Sequence, residues 1–410
     1  MNVLNGKRII LGITGSIAAY KAVGLASSLT KAGAMVDVIL TEAASRLVSP
    51  ITFSSVTGRR AYLDGDLWQV DDHVLHIELG EKNDVYLIAP ATANTIAKLA
   101  HGLADNLLTL TALASRTRVI LAPAMDGGMY SNPVTQENLK ILSARGVELW
   151  GPAAGHLASG LSGKGRMLEP EQLIGHLRVR LGRDGILKGK KVIVTAGGTQ
   201  EPIDPVRVIS NRSSGKQGYK IAQAALDQGA NVVLISGPVS LTPPVGVVLI
   251  NVTTADEMAA AVLTEIEKAD LLIMAAAVAD FKPARVNTEK IKKSQSGLAD
   301  LQLEPTVDIL IEVLKRKKKS GSGTGVTIGF AAETENLLEN AKDKLEKKGL
   351  DLIAANDVSR KDSGIGSDNN QVTLIWKDGK TRELPLMDKT GVAEEIIGEA
   401  VILLKENKKK

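Results

Sequence analysis

Residues 6–15 read GKRIILGITG, and residues 189–198 read GKKVIVTAGG. Each is a basic pair, a short β-branched run and then glycines. Each is followed by a helical segment, a Gly-Ala stop and a second apolar run. In the first half these are 18–31, Gly33-Ala34 and VDVIL; in the second they are 218–227, Gly229-Ala230 and VVLI. A glycine that ends a helix ahead of a continuous apolar run marks a βαβ unit feeding a buried parallel strand. The unit occurs twice and not in series, so it predicts two doubly wound, mostly parallel α/β domains and no solenoid.

Working outward, 85–89 and 119–122 read as further strands of the first domain, and 271–275, 326–330 and 352–355 as strands of the second. Segments 371–376 and 381–384 flank Lys377-Asp378-Gly379, a hairpin signal. Residues 388–405 carry helical periodicity and are expected to pack on the second domain. The stretch 181–188, LGRDGILK, is the expected seam, giving domains 1–187 and 188–410.

The chain has 50 basic and 46 acidic residues, a balance that argues against a nucleic-acid binder driven by bulk charge. With no cysteine, disulfides, cysteine–zinc sites and a thiol nucleophile are excluded. The first residues turn glycine-rich too early for a signal peptide and no apolar run reaches spanning length, so a cytoplasmic enzyme is expected, with no membrane or nucleic-acid partner.

Gly12-Ile13-Thr14-Gly15-Ser16 stands where a strand gives way to a helix. Gly15 permits a tight turn, the Ser16 hydroxyl is placed to cap, and free N–H groups at a helix start suit a phosphate. The spacing is not GxGxxG, and a plain strand–helix turn reads equally well. Thr195-Ala196-Gly197-Gly198-Thr199 offers a similar cradle. Ser214-Gly215-Lys216 is not a P-loop, for it lacks the required glycine spacing.

In the first half GITGSIAAYKA, Thr41-Glu42-Ala43-Ala44, APATANTIAKLAHGLADNLL (89–108) and APAMDGGMY (122–130) occur in order. Together they resemble the flavin-containing cysteine decarboxylases, over essentially all of 5–180. The resemblance implies a flavodoxin-like domain binding FMN between subunits, with Gly15, Ser16, Ile17, Thr41, Ala91 and Thr92 at the cofactor. His76, in His76-Ile77-Glu78-Leu79, matches the family's active-site histidine. Imidazole titrates near neutrality and can take the proton released as the substrate thiol is oxidised. A lone histidine is otherwise more often core or surface, and His73 is expected outside the site.

Two positions depart from the family. Asp126 replaces an asparagine that clamps the substrate carboxylate, and an ionised Asp126 repels that group unless protonated or paired. Ser159 replaces a flap cysteine that protonates the enethiolate in the last, reductive step, and an alcohol is a far weaker acid than a thiol. Three readings remain open. Another acid, Asp126 if protonated, replaces the thiol; or the domain is impaired or stops at the enethiol; or the position was altered.

In the second half TAGGTQEPIDPVRVISNRSSGKQG (195–218), AAAVADF (275–281), EKIKK (289–293), GFAAET (329–334), ANDVS (355–359) and GSDNNQV (366–372) resemble phosphopantothenate–cysteine ligase, over 188–404. Fusion behind a flavin domain is the arrangement of the bifunctional coenzyme A family. The resemblance implies a Rossmann-like ligase domain. It places Asn211 on the acyl-nucleotidyl intermediate and Lys290 on the phosphates and in the attack of cysteine. Asp280 falls on ribose or cation, and Met274, Ala275, Ala276, Asp308, Phe330, Lys344 and Lys348 in the nucleotide pocket. CTP with Mg2+ is the expected co-substrate pair, with ATP the alternative. Without the family, Lys344 and Lys348 would read as a solvated helix face, Lys290 as a surface charge and Asn211 as a turn and cap. Asp280, just past an unbroken strand, has an independent claim, because ligands gather at strand C-termini in open αβ sheets. The resemblance also implies trimeric flavin domains and dimeric ligase domains. A flavoprotein that regulates without catalysing is the competing class; such a protein has no need of Lys290 or Asn211.

Overall fold

The computed structural model describes residues 2–68, 74–156, 160–292, 301–320, 325–333, 335–357 and 367–407. His73, Ser159, Thr334 and residues 358–359 lie outside the described residues. The chain forms two compact units, Asn2–Arg178 and Val179–Lys410, and the helix Pro170–Gly182 runs across that division into the 181–188 stretch.

In the first unit β1 (Arg8–Ile13), β2 (Met35–Leu40), β3 (Ala61–Tyr62), β4 (Val85–Ala91), β5 (Val119–Pro123) and β6 (Glu148–Leu149) lie in the order β3-β2-β1-β4-β5-β6. Every neighbouring pair is parallel. The runs IILGI and VYLIAPA are buried along their whole length, as strands covered on both faces must be. One face packs Ile10, Tyr86, Ile88 and Leu121 against Ile96, Leu107 and Leu139 of the helices Ala93–His101, Leu107–Ala114 and Pro133–Ala144. The helix Ala19–Lys31 buries Ala22, Leu25, Ala26 and Leu29, one stripe at helical spacing. Each buried leucine contributes roughly 1.5–3 kcal/mol. A hairpin of β7 (Ala153–His156) and β8 (Ser162–Arg166) follows.

The second unit repeats the plan. Its strands are β9 (Lys191–Ala196), β10 (Gln200–Pro202), β11 (Val208–Ser210), β12 (Asn231–Ser236), β13 (Val248–Asn251), β14 (Leu271–Met274) and β15 (Phe281–Pro283). They continue through β16 (Leu303–Pro305), β17 (Val326–Glu333), β18 (Leu352–Asp357), β19 (Asn369–Asn370), β20 (Val372–Trp376), β21 (Thr381–Glu383) and β22 (Met387–Asp388). The main sheet runs β13-β12-β9-β14-β17-β18-β20-β21. It is parallel through β18 and antiparallel across β20 and β21, the hairpin foreseen at Asp378-Gly379. One face carries the helices Lys216–Asp227 and Lys389–Asn407, the latter burying Val392, Ala393, Ile396, Ile397, Ala400 and Leu403. The other carries Ala255–Glu265, Ile309–Ser320 and Leu337–Lys347. Thr254 and Glu257 close a capping box on the first of these.

Both sheets reverse direction of winding beside their first strand, at β1/β4 and at β9/β14. The crevice outside the strand C-termini at such a point is where an open α/β sheet takes its ligand.

Candidate active sites

At the first switch point Thr14, fully buried, stitches the two strand ends together. Its Oγ1 donates to the Pro90 carbonyl at 2.8 Å and accepts the Thr92 N–H at 3.0 Å. Thr92 then caps the helix Ala93–His101, accepting the Thr95 N–H, and Ala91 is buried at the end of β4. Thr41 closes β2 in the same way, capping Glu42–Ser45 and bonding back to the Ile13 carbonyl. Gly15 packs so closely on Ala43 that a Cβ there would lie 2.5 Å from the Ala43 Cβ. The expected cap by Ser16 is not formed in the usual sense. The helix begins one turn later, at Ala19, with Ala18 as an uncapped N-cap, and Ser16 Oγ takes only the Ala18 N–H at 3.4 Å.

This end opens on a cavity of about 510 Å3 whose lining includes Ser16, Ile17, Lys21, Asp126, His156 and Arg166. Asp126 is the N-cap of Gly127–Ser131, its Oδ1 accepting the Gly128 N–H at 2.8 Å. Aspartate and asparagine cap equally well, so the turn survives the exchange. The β7–β8 hairpin seals against it: Met125 N–H bonds to the Gly165 carbonyl, and a Cβ on Gly165 would lie 2.3 Å from the Met125 oxygen. Lys21 and Arg166 share one carboxylate, Glu169, at 2.8 and 2.5 Å. With Asp126 on the same wall, the two cations stand against two carboxylates. The Lys21 ammonium, and then Arg166, hold the Glu169 carboxyl below its ordinary range.

His76 sits in the first turn of Leu75–Glu81, half-buried, and is not among the cavity-lining residues. Its Nδ1 is buried without a hydrogen-bond partner among the described residues.

At the second switch point, side chains of β9 and its following turn receive backbone N–H groups from the turn after β14. The Ala276 N–H reaches Thr195 Oγ1 at 3.1 Å and the Ala279 N–H reaches Thr199 Oγ1 at 2.9 Å. Gly197 adopts φ +78°, open to glycine at little cost, as the chain leaves the sheet. Asn211 lies against this turn, its Nδ2 donating to the Val278 carbonyl at 2.9 Å. Met274 is buried, Ala275 and Ala276 are partly covered, and Asp280 is exposed, its carbonyl accepting the Thr306 N–H.

Across the strand ends Lys344 donates to the Phe330 carbonyl at 2.9 Å, and Lys348 pairs with Asp308 at 2.5 Å. Asp308 uses its other oxygen on the Ile311 N–H in the first turn of Ile309–Ser320. The solvated-face reading therefore fails for these two lysines: both turn toward the strand ends. Lys290 is exposed, with its backbone neighbours tied to the turn 203–207. The described residues contain no cluster of three or more His, Cys, Asp or Glu suited to a metal.

Lys21, His156 and Thr14 were not found from the sequence. The i, i+4 spacing of Ile17 and Lys21 at a helix start was the available signal for Lys21. His156 depends on the β7–β8 pairing, which no local pattern announces.

Residues 2–182 match the family model described as Flavoprotein, and 187–403 match the DNA/pantothenate metabolism flavoprotein C-terminal domain. The chain is 44% identical over 407 residues to the Coenzyme A biosynthesis bifunctional protein CoaBC of Bacillus subtilis, covering 98% of this chain and 99% of that protein. It is 44% identical over 414 residues to the protein of the same name from Vibrio vulnificus, covering 98% and 100%. A crystal structure of the C-terminal domain of a Coenzyme A biosynthesis bifunctional protein CoaBC is 40% identical, covering 54% of this chain and 99% of that one with a TM-score of 0.45. No helix of the described residues is long and apolar enough to cross a membrane.

Proposed function

The chain belongs to the family of bifunctional coenzyme A biosynthesis proteins, and on that premise we propose how its two units divide the chemistry. It is a bifunctional enzyme: the second unit is a phosphopantothenate–cysteine ligase and the first a phosphopantothenoylcysteine decarboxylase. The observation that supports this is one chain whose two parallel sheets each reverse winding beside their first strand, the point where an open α/β sheet takes its ligand.

In the ligase the carboxylate of 4′-phosphopantothenate attacks the α-phosphorus of CTP, and pyrophosphate leaves. The cysteine amine then attacks the acyl carbon, and CMP leaves. Met274, Ala275, Ala276 and Phe330 seat the nucleotide. Lys290, Lys344 and Lys348 gather positive charge where it builds on the phosphates. Asp308 orients Lys348. Asn211, fixed on Val278, holds the acyl-cytidylate. Mg2+ is commonly bound through one or two carboxylates and substrate phosphates, which fits the exposed Asp280 beside the crevice.

The decarboxylase pocket fits FMN: the Gly15 turn is a cradle that a Cβ would fill, Ser16 and Ile17 line the cavity, and Thr41, Ala91 and Thr92 stand at the ends of β2 and β4, where Thr41 and Thr92 cap the helices that follow. A bound flavin supplies two-electron oxidation of the substrate thiol. Lys21 and Arg166 on the cavity wall offer cationic N–H donors that suit a phosphate. His76 takes the thiol proton at its imidazole, and Asp126, in its protonated form, serves as the acid in place of the thiol that Ser159 does not supply. That His76 does not line the cavity of its own unit supports a site completed by another copy. Ile17, Tyr20 and Leu113, each more than 60% exposed, support burial there by further copies. The assembly is trimeric through flavin units and dimeric through ligase units, in the cytoplasm.

The test is anaerobic incubation of the purified protein with 4′-phosphopantothenoylcysteine, followed by mass spectrometry. Loss of carbon dioxide alone is expected. Loss of carbon dioxide and two hydrogens would mean the domain stops at the enethiol. No loss, with flavin bound, would leave the ligase as the only working half. Omission of CTP, replaced by ATP, tests the nucleotide in a parallel pyrophosphate-release assay.

A further inference from the structure

We infer that Asp204 is a positioning residue of the ligase, setting the backbone on which Lys290 is presented; this rests on the reading of Lys290 given above. Asp204 closes the turn between β10 and β11. Its Oδ1 accepts the Val206 and Arg207 N–H groups at 2.8 and 2.9 Å, an Asx-type turn that any surface loop could contain. The other oxygen does something a turn does not need. Oδ2 accepts the N–H of Ile291 at 3.2 Å, a residue 87 positions away and adjacent to Lys290.

Arg207 completes the grip. Its Nη2 donates to the Ile291 carbonyl at 3.0 Å, while Nη1 stands 3.6 Å from Asp204 Oδ2. Both backbone groups of Ile291 are thus held by one turn, and the Ile291 side chain is buried. On the other side of Lys290, the Asn287 N–H bonds to the Ile203 carbonyl at 3.0 Å. Lys290, itself exposed, is flanked by two fixed points.

The hairpin behind the turn is anchored to the body of the unit. Glu201, 1% exposed, accepts the Ala255 N–H at 2.8 Å, and Gln200 bonds to the Thr253 carbonyl. Asn211 follows β11 directly. One small hairpin therefore carries Asn211 at its base and grips the Lys290 segment at its tip. Asp204 is 2% exposed. Burial alone would raise its carboxyl, but the three backbone N–H groups and then the Arg207 guanidinium outweigh burial and hold it below its ordinary value.

Asp204→Asn separates the two jobs. Asparagine forms Asx turns as readily as aspartate, but its amide then presents a donor to the Ile291 N–H. In the full-length protein, pyrophosphate release is measured for wild type, Asp204→Asn, Lys290→Ala and the double variant, with thermal melting alongside. Asp204→Asn is expected to lower kcat about 100-fold, the cost of misplacing a reacting group by about 1 Å, in a folded protein whose melting temperature falls because the Ile291 N–H loses its acceptor. Added to Lys290→Ala it is expected to cost nothing further, because its effect runs through Lys290. Additive losses, or an unchanged kcat, overturn the inference. If Lys290→Ala keeps full activity, the reading of Lys290 fails and takes the inference with it; if only Asp204→Asn is silent, the inference fails alone. Should Asp204→Asn not fold, Arg207→Met in the same cycle decides, with a smaller loss that is likewise absent in the Lys290→Ala background.

Discussion

Gly15→Ala tests whether the flavin cradle is held by a single close contact. The added Cβ would stand 2.5 Å from the Ala43 Cβ, whereas carbon atoms rest comfortably at about 3.5–4.0 Å. One side must move by about 1 Å. On one flank Thr14 is buried and doubly bonded to the end of β4, so it will not yield. Ala43 is exposed on the four-residue helix Glu42–Ser45, tied down chiefly by the Thr41 cap, so the displacement falls there and on Thr41. Overpacking costs about 1–3 kcal/mol, and a yielding partner puts this case in the lower half. One to two kcal/mol is a factor of about 5–30, expected as weaker FMN binding. The assay is quenching of flavin fluorescence on titration into apoprotein. Ala43→Gly in the same chain removes the obstructing atom and leaves the next at 3.5 Å, an ordinary contact. The double variant should recover to within about fivefold, the remainder being the helix penalty of glycine, up to about 1 kcal/mol. Wild-type affinity in Gly15→Ala, or no rescue in the double variant, refutes the reasoning.

Thr195→Val keeps shape but strips the acceptor from the Ala276 N–H at a fully buried position. A stability loss of about 1–3 kcal/mol is expected by urea melting, with the nucleotide KM raised more than kcat is lowered. Lys348→Met removes the cation proposed for the phosphates and leaves the Asp308 carboxylate without its ion-pair partner. The nucleotide KM should rise about tenfold, near the low end of a charged hydrogen bond, and Asp308→Asn in that background should recover part of it. Asparagine keeps the cap on Ile311, so melting should stay nearly constant. His176 stacks on Trp150 at 5.2 Å, and burial lowers its pKa. Its folded state therefore resists protonation, so the stability it contributes is complete above the ordinary value of 6.5 and falls as pH drops toward the folded value. His176→Phe should flatten melting temperature against pH in that window, and a curve as steep as wild type would count against the argument.

What the sequence disclosed and what it hid follow from how far each element depends on distant partners. β1 and β9 were legible because parallel strands buried on both faces must be apolar throughout, and the glycine stops mark where their helices end. The hairpin β20–β21 was legible through Asp378-Gly379. The hairpin β10–β11 was not: its strands are three residues each, with Pro202 in one of them, and the run EPIDPVR reads as loop. β7 and β8, AAGH and SGKGR, contain no β-branched or large apolar residue, carry little strand propensity and exist because they pair with each other. The same logic governs the sites. Asp280 could be suspected from its place after a strand, and Asp126 occupies a turn that its residue type suits. The inward turn of Lys344 and Lys348 depends on Phe330 and Asp308, which only the folded sheet brings near. Asp204 was hidden because its decisive partner lies in another part of the chain.

The two units are consecutive in the chain, each drawing on one uninterrupted run of residues. That gives biosynthesis a timetable. Ribosomes add about 5–20 residues per second and domains tend to fold as units in the order they emerge. The first sheet needs nothing encoded beyond Arg178 to complete its strand order, so it has on the order of 10–50 s to settle before the last residue of the second is joined. Long-range parallel pairing is slow and leaves apolar edges exposed while it proceeds. Serial layout keeps the two sets of bare strands from being unfolded together, where similarly patterned openings such as KRIILGI and KKVIVTA could pair with each other by mistake.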